Sequence, residues 1–438
     1  MNKYHFIGIK GSGMSALAQI LHDMGNYVQG SDVPTYFFTQ KKLEDRNIEI
    51  LNYDVNNIKK DFIVILGNAF NEDQMEYVRA KEIGSKIYTY SEFLGELADE
   101  IKSIAITGAH GKTTTTTMTS AVFKCNMPTS YLIGDGTGIG VENPDIYIFE
   151  ACEYYRHFLH YRPNYAVVTN VDFDHPDYFK DEEDVLDAFQ SFVDQVKEAV
   201  IYCGDDILAS RLKSKNAKMI SYGFNEGNDY TIKNVTTDEE GSTFDIYKYD
   251  NYFATFNMSV FGLHEISNAT SSIILGDICG LSKEDIQKGL LTYQNAERRF
   301  TEYKFKNSIV VDDYAHHPKE ITATLNTARR KYKDKEVVAI FQPHTYTRTE
   351  TFLTEFADSL RNADKVYLYS IFGSAREKTG NVTIEDLQKA IGNAEVIEGA
   401  DGIKKLSVLD NHVILFMGAG DINKYQQKFL EEVKEKAL

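Results

Sequence analysis

Residues 104–117 read Ile-Ala-Ile-Thr-Gly-Ala-His-Gly-Lys-Thr-Thr-Thr-Thr-Thr, an apolar run that feeds a glycine turn and then a helix start. Such a turn is suited to holding phosphate. Gly108 and Gly111 let the backbone around Ala109 and His110 aim its N–H groups at an anion, Lys112 can reach the β- and γ-phosphates of a nucleotide, and the Thr113 hydroxyl is placed to ligate Mg²⁺. The helix that opens through Thr114 adds its N-terminal dipole. In the longer form of the motif a first glycine would fall at position 106; here it is Ile106, so the loop is the shorter Gly-x-x-Gly-Lys-Thr kind. The plainer alternative is a Thr-rich strand-to-helix turn with a surface lysine, and the strand signal before the loop speaks against it.

Other chemistry-bearing residues collect at the ends of apolar runs. Glu150 closes Ile146–Phe149, where a carboxylate for a nucleotide-bound metal belongs, and Glu153 could substitute; a carboxylate capping the next turn is the alternative. His175 follows Tyr165–Thr169 beside Asp172 and Asp174, which could orient an imidazole on a metal. After Ser308–Val311 come Asp-Asp-Tyr-Ala-His-His-Pro at 312–318. Adjacent histidines on an extended chain point to opposite sides, so His316 and His317 are not expected to share a metal, and one of them is expected to line a cleft. Gln342–Thr349, with His344 and Arg348, repeats the pattern at another strand end. Arg298, Arg299 and Arg348 can each grip a phosphate or carboxylate through paired N–H donors, a solvated surface arginine being the base reading for any one of them. Near the start, Gly8, Gly11, Ser12 and Gly13 form a turn between a strand and a helix, and Asp32 follows Gly13 by 19 residues, close to the ribose-binding spacing of dinucleotide folds. The glycine order, Gly-x-x-Gly-x-Gly, departs from the NAD fingerprint.

The elements that must position these groups read as alternating strands and helices, hence an α/β protein with mostly parallel sheets. A length of 438 residues suggests about three domains. The first, residues 1–98, is Rossmann-like, with strands at Tyr4–Ile9, Tyr27–Gln29, Phe62–Leu66 and Lys86–Tyr88 and a helix over Met14–Met24. The second, 99–294, is built on the phosphate loop, with an antiparallel excursion over Gly223–Asn251 at its edge and helices at Asn268–Cys279 and Lys283–Tyr293. The third, 295–438, has strands at Ser308–Val311, Val337–Phe341, Val366–Tyr369 and Val413–Met417. Its helices are expected over Thr349–Arg361, Ile384–Ile391 and Lys424–Leu438. A net charge of −18 opposes a broad nucleic-acid surface, so an anionic ligand must be met by a few local cations and Mg²⁺. Cys125, Cys152, Cys203 and Cys279 form no close pair, which points to reduced, mostly buried thiols rather than disulfides or a zinc site. No run is long and apolar enough to span a bilayer, and Met1–Gly11 enters a strand directly, so a cytoplasmic location without membrane insertion is expected.

Taken in order, the glycine turn with Met14-Ser15, the loop Gly108–Thr114, Asn170 with His175, Gly262-Leu263-His264 to Asn268, Arg298-Arg299-Phe300, Asp312–Pro318 and Pro343–Thr349 resemble the Mur ligase family across nearly the whole chain. The runs at 312–318 and 343–349 look like those of its members that join L-alanine to UDP-N-acetylmuramate. The resemblance implies an ATP-dependent ligase of peptidoglycan synthesis with an N-terminal UDP-sugar domain, a central ATPase and a C-terminal Rossmann-like domain that brings the amino acid. By motif position, Gly108 to Thr114 would bind ATP together with His264 and Asn268 at the adenine, and Thr113, Glu150 and His175 would hold Mg²⁺. Gly11, Ser12, Gly13, Met14, Ser15 and Asp32 would bind the UDP-sugar. Tyr314, His316, His344 and Arg348 would receive the amino acid, and Lys112, Arg299, His316 and Arg348 would serve catalysis. Departures from the family pattern are Lys10 for a glycine, Ala109 for a threonine, the run Cys152-Glu153-Tyr154-Tyr155 for a more acidic one, and Thr345 where some members carry arginine. Alternatives are a ligase that attaches a preformed peptide to the same sugar, a folate-type polyglutamate ligase, an NAD oxidoreductase and a non-catalytic nucleotide switch.

Overall fold

The alternating β and α signals resolve into three sheets in a computed structural model that describes residues 1–238, 241–294, 298–373 and 377–435. The first contains β1 (Lys3–Ile7), β2 (Tyr27–Ser31), β3 (Glu49–Leu51), β4 (Ile63–Leu66) and β5 (Lys86–Thr89), all parallel, in the order β3-β2-β1-β4-β5. The order reverses beside β1, and the glycine turn that follows β1 sits at this switch point, where ligand crevices of such sheets form.

The central sheet has ten strands: β6 (Ser103–Thr107), β7 (Thr129–Ile133), β8 (Thr137–Ile139), β9 (Ile146–Glu150), β10 (Tyr165–Val168), β11 (Ala199–Cys203), β12 (Lys218–Gly223), β13 (Tyr230–Thr237), β14 (Ser242–Lys248) and β15 (Asn251–Met258). Their order is β15-β14-β13-β12-β11-β10-β6-β9-β7-β8. The excursion expected at the edge is present as the antiparallel strands β13 to β15, and it runs on to Met258. β6 is wholly buried and flanked by β9 and β10, so the loops after these three strands converge.

The third sheet holds β16 (Thr301–Phe305), β17 (Ser308–Asp313), β18 (Glu336–Phe341), β19 (Lys365–Leu368), β20 (Ala394–Val396) and β21 (His412–Met417), ordered β16-β17-β21-β18-β19-β20, with only β16 antiparallel among the described residues.

Several expectations need correction. Thr349–Arg361 is not one helix: Tyr346–Thr351 and Leu353–Leu360 are separated at Phe352, whose ψ of 25° breaks the helical course. The division set at residue 98 falls inside the helix Tyr90–Glu100, and Asn295 to Glu297 lie outside the described residues, as do the last three residues of the expected C-terminal helix, which is described over Ile422–Glu435. The thiols are not mostly buried, since Cys152 is exposed and the other three are partly so. The β7–β8 hairpin was not anticipated. It docks the first domain on the second: a Cβ at Gly138 would lie 1.9 Å from the Ala16 carbonyl oxygen, so only glycine lets the hairpin approach the helix Ser12–Asp23 this closely. One apolar core accordingly runs from Leu17 and Ile20 to Leu132, Tyr147 and Phe149.

Candidate active site

The loop after β6 turns through Gly108 (φ 141°) and Gly111 (φ 81°), conformations that L side chains rarely adopt. A Cβ at Gly108 would lie 2.0 Å from Thr169 Oγ1, and one at Gly111 3.0 Å from Asn268 Oδ1. The loop is buttressed from the end of β10: the His110 N–H donates to Asn170 Oδ1 at 2.9 Å, and the His110 carbonyl accepts from Asn170 Nδ2 at 2.9 Å and Thr169 Oγ1 at 2.6 Å. Lys112 Nζ folds over the loop, donating to the carbonyls of Gly108 (2.5 Å) and Ala109 (3.1 Å) and to Glu153 (3.0 Å). Burial disfavours its charge, but Glu153 outweighs this and raises the pKa. The ammonium is therefore held over the loop.

Beside it, the Thr113 hydroxyl donates to Glu150 (3.3 Å), whose other oxygen accepts from the Gly134 N–H (2.6 Å). Burial pushes the Glu150 carboxyl upward, as expected of a carboxylate short of positive charge. Two oxygen donors side by side fit a hard cation such as Mg²⁺. His175 (φ 57°) comes instead to Glu153: its Nε2 lies 3.8 Å from a Glu153 oxygen and 3.8 Å from Asp174, its ring stacks on Tyr154 at 4.3 Å, and burial lowers its pKa. Of the two aspartates expected to orient it, Asp174 touches it and Asp172 does not, being bonded to His110 (3.3 Å) and Lys319 (2.8 Å).

The third domain meets this rim. Arg348, expected to be free for a substrate anion, is buried and paired through Nη2 (2.7 Å) and Nε (3.1 Å) with Asp174 of the central domain, which holds that carboxyl well below its usual range. Arg298 is likewise engaged, with Asp312 (3.3 Å) and the carbonyls of Gly418 and Gly420. Arg299 keeps looser company, 3.8 Å from Glu320 and 5.3 Å above the Tyr314 ring. The two adjacent histidines diverge as expected: His316 turns toward Tyr314 and His344, while His317 caps the helix Pro318–Lys331 and packs on the His110 ring at 4.4 Å. Burial lowers His344 to about 4 and, with His110 nearby, His317 to about 3. Both are neutral at pH 7. His110, by contrast, is pushed up to about 9: burial opposes its charge, but Asp172 and Glu320 outweigh it. His110, Asp172 and His317 bring potential ligand atoms within 4.8 Å of one another; Asp172 also holds Lys319, so the group ties the two domains together as an ion-pair hub.

Between the two domains lies a cavity of about 320 Å³. Gly111 and Thr114 of the loop, His264 and Asn268 of the helix Leu263–Ile278, and Arg299 and Glu320 of the third domain all line it. His264 lies 3.4 Å from Glu265, which overcomes burial and raises its pKa. At the first domain, Gly11 caps the helix Ser12–Asp23, Gly13 packs against Tyr90, and Met14 and Ser15 are buried within the domain. Asp32 accepts the N–H groups of Lys10 and Val33, each at 2.7 Å, and so fixes the turn as well as facing the crevice. Lys10, one of the departures, fastens the loop by donating to the carbonyls of Val33 (2.8 Å) and Thr35 (3.0 Å). A second cavity, lined by Lys10, Asp32, Gln40, Glu44 and Asn52, opens beside it. Sequence reading missed Glu320, although His-x-x-Glu before an apolar-periodic helix is the spacing of a capping box.

Three family models match in chain order: the Mur ligase family catalytic domain over residues 3–102, the Mur ligase middle domain over 106–276, and the Mur ligase glutamate ligase domain over 298–420. The chain belongs to the Mur ligase family, the ATP-dependent ligases of peptidoglycan synthesis. Among solved structures, the UDP-N-acetylmuramate-alanine ligase MurC from Thermotoga maritima is 27% identical with a TM-score of 0.81, and 100% of each chain is covered. The murein peptide ligase Mpl from Psychrobacter arcticus is 24% identical at TM-score 0.71 over 99% of each chain. MurF from Thermotoga maritima in complex with ADP is 17% identical at 0.68, over 87% of this chain and 97% of that one. These last two share the fold.

Proposed function

We propose that this protein joins L-alanine to the lactyl carboxylate of UDP-N-acetylmuramate in an ATP-driven ligation, giving UDP-N-acetylmuramoyl-L-alanine, ADP and phosphate. The observation that carries the reading is the meeting of the Lys112 loop with Arg299 and Glu320 at one inter-domain cavity, His316 lying beside Glu320. It is supported by the likeness to the alanine ligase along the full chain. Residues 1–98 would take the UDP-sugar through Gly11 to Ser15 and the cavity at Asp32, 99–294 the ATP, and 295–438 the amino acid.

A carboxylate resists attack by an amine, so it must first be activated. The lactyl carboxylate oxygen attacks the γ-phosphorus, the bond to the bridging oxygen breaks, and ADP departs. The amine nitrogen then attacks the acyl carbon, phosphate leaves, and the nitrogen loses a proton. Both steps build negative charge, which preorganised cations stabilise. Lys112 lies where it would meet the phosphoryl oxygens and Arg299 where it would meet the acyl phosphate. Mg²⁺, which Thr113 and Glu150 would hold, with His175 acting through Glu153, would neutralise charge on the β- and γ-phosphates. His344, neutral and half-buried, offers an acceptor for the amine proton, and Tyr314, His316 and His344 leave room for a small side chain. Arg348 would act by fixing Asp174 and His175 in place. The test is ADP formation from ATP with UDP-N-acetylmuramate and single amino acids or the L-Ala-D-Glu-containing tripeptide. L-Alanine should be fastest, with glycine and L-serine slower, since one methyl distinguishes by only about 1 to 3 kcal/mol. Faster turnover with the tripeptide would move the protein to the peptide-recycling reaction.

A further inference from the structure

We propose that Glu320 is a positioning residue that gathers His110 of the nucleotide loop and His316 and Arg299 of the acceptor side around one carboxylate when the third domain docks. The inference rests on the ligase reading above. Glu320 stands at the third position of the helix Pro318–Lys331, where its Oε2 accepts the backbone N–H groups of His316 (2.9 Å) and His317 (3.2 Å). A helix cap needs no more than that. Yet the side chain, 12% exposed, also lies 3.1 Å from His316 Nδ1 through Oε2, and through Oε1 it lies 3.6 Å from His110 Nδ1 and 3.8 Å from Arg299 Nη1. Oε2 thus serves the cap and His316, while Oε1 faces His110 and Arg299 at ion-pair rather than hydrogen-bond distance.

These three come from different places. His110 sits between the two glycines of the phosphate loop, and its backbone is gripped by Asn170. Arg299 precedes β16, and His316 follows β17. Glu320 lies within 4 Å of all three, so a shift of the loop would be passed to the groups on the acceptor side. The groups facing His110 are Asp172 after β10, Glu320 on its helix and the neutral His317; Lys319 reaches it through Asp172. Asp172 meets His110 at Nε2 (3.3 Å) and Glu320 lies 3.6 Å from Nδ1, so the ring is held from both sides, and Glu320 is the side that the third domain brings.

Glu320→Gln tests this, because glutamine still closes the cap but carries no charge. Thermal unfolding should change little. The His110 imidazole, followed by NMR in the full-length protein without substrates, should titrate lower by about one pH unit or more. In turnover, kcat should fall on the order of tenfold with a smaller change in the KM for ATP, and the pH–rate profile should shift. Glu320→Asp, which keeps the charge with a shorter reach, should restore part of the His110 titration. Unchanged titration and pH profile with only a loss of stability would reduce Glu320 to a helix cap and overturn the proposal. Failure of wild-type protein to turn over UDP-N-acetylmuramate with L-alanine would remove the substrate reading and leave the substrate-free titration as the deciding result.

Discussion

Lys112 and Glu150 divide the electrostatics of the nucleotide site between them. The ammonium is drawn over the loop by two carbonyls and Glu153, and Glu150 is a half-buried carboxylate that accepts from a hydroxyl and a backbone N–H. Lys112→Ala should keep the overall fold with some loss of stability, because buried Glu153 loses its ammonium partner, and should lower turnover by at least about 10²-fold, the size of effect seen when one preorganised charge-stabilising donor is lost. Steady-state kinetics at saturating ATP checks this, and near-wild-type turnover would sink the loop assignment. Glu150→Gln preserves both hydrogen bonds and deletes the charge, so the Mg²⁺ concentration for half-maximal activity should rise roughly tenfold or more; His175→Ala should act in the same direction through Glu153. A metal titration that superimposes on wild type for both variants would remove them from the metal site.

At the scale of elements, the loops after β10 and β18 are joined by a buried ion pair and by Phe173 against Phe352. Arg348 lies in the short helix Tyr346–Thr351, which starts at Thr345 in a left-handed conformation (φ 67°), and it is this turn that aims the guanidinium at Asp174. Arg348→Ala would leave a buried carboxylate without its counter-charge, which costs about 3 to 5 kcal/mol. A drop in urea midpoint of that size, with loss of activity, is expected; an unchanged midpoint would mean that the pair is not made in solution. Gly111→Ala would force a Cβ into a left-handed site 3.0 Å from Asn268, and ATP binding by calorimetry should be lost before the fold is.

Across the whole molecule, the third domain is joined to the second by ion pairs that titrate. The free imidazole pKa of about 6.5 is raised at His110 to about 9, so its contribution to stability is fully present below about pH 6.5 and is lost as pH rises through 9. The shift corresponds to roughly 3 kcal/mol, with little solvent screening because the side chain is 13% exposed. On the acid side, Asp172 is lowered to about 2, burial being outweighed by His110 and Lys319, and its contribution is present above about pH 4 and fades as pH falls through 2. Unfolding free energy should therefore decline from neutral pH toward 9 in wild type and be flatter in His110→Gln. Parallel profiles would show that His110 is not the titrating group.

The chain by itself determined the α/β class, the phosphate loop, the strand ends that carry chemistry and the family, because each is written in local signals: glycine spacing, apolar runs of strand length, and polar clusters directly after them. The divergence of His316 and His317 is such a local matter, while the break at Phe352 in the expected helix Thr349–Arg361 carried no glycine or proline to signal it. The tertiary structure decided which charges meet. Arg348 and Asp174 are 174 residues apart, Gly138 abuts Ala16 through a hairpin with no strong strand signal of its own, and Glu320 reaches His110 only because the third domain docks on the second. An arginine or a carboxylate reads the same in sequence whether it faces substrate, solvent or an opposite charge. Its role is set by desolvation and by the partner that long-range packing brings within a few ångströms.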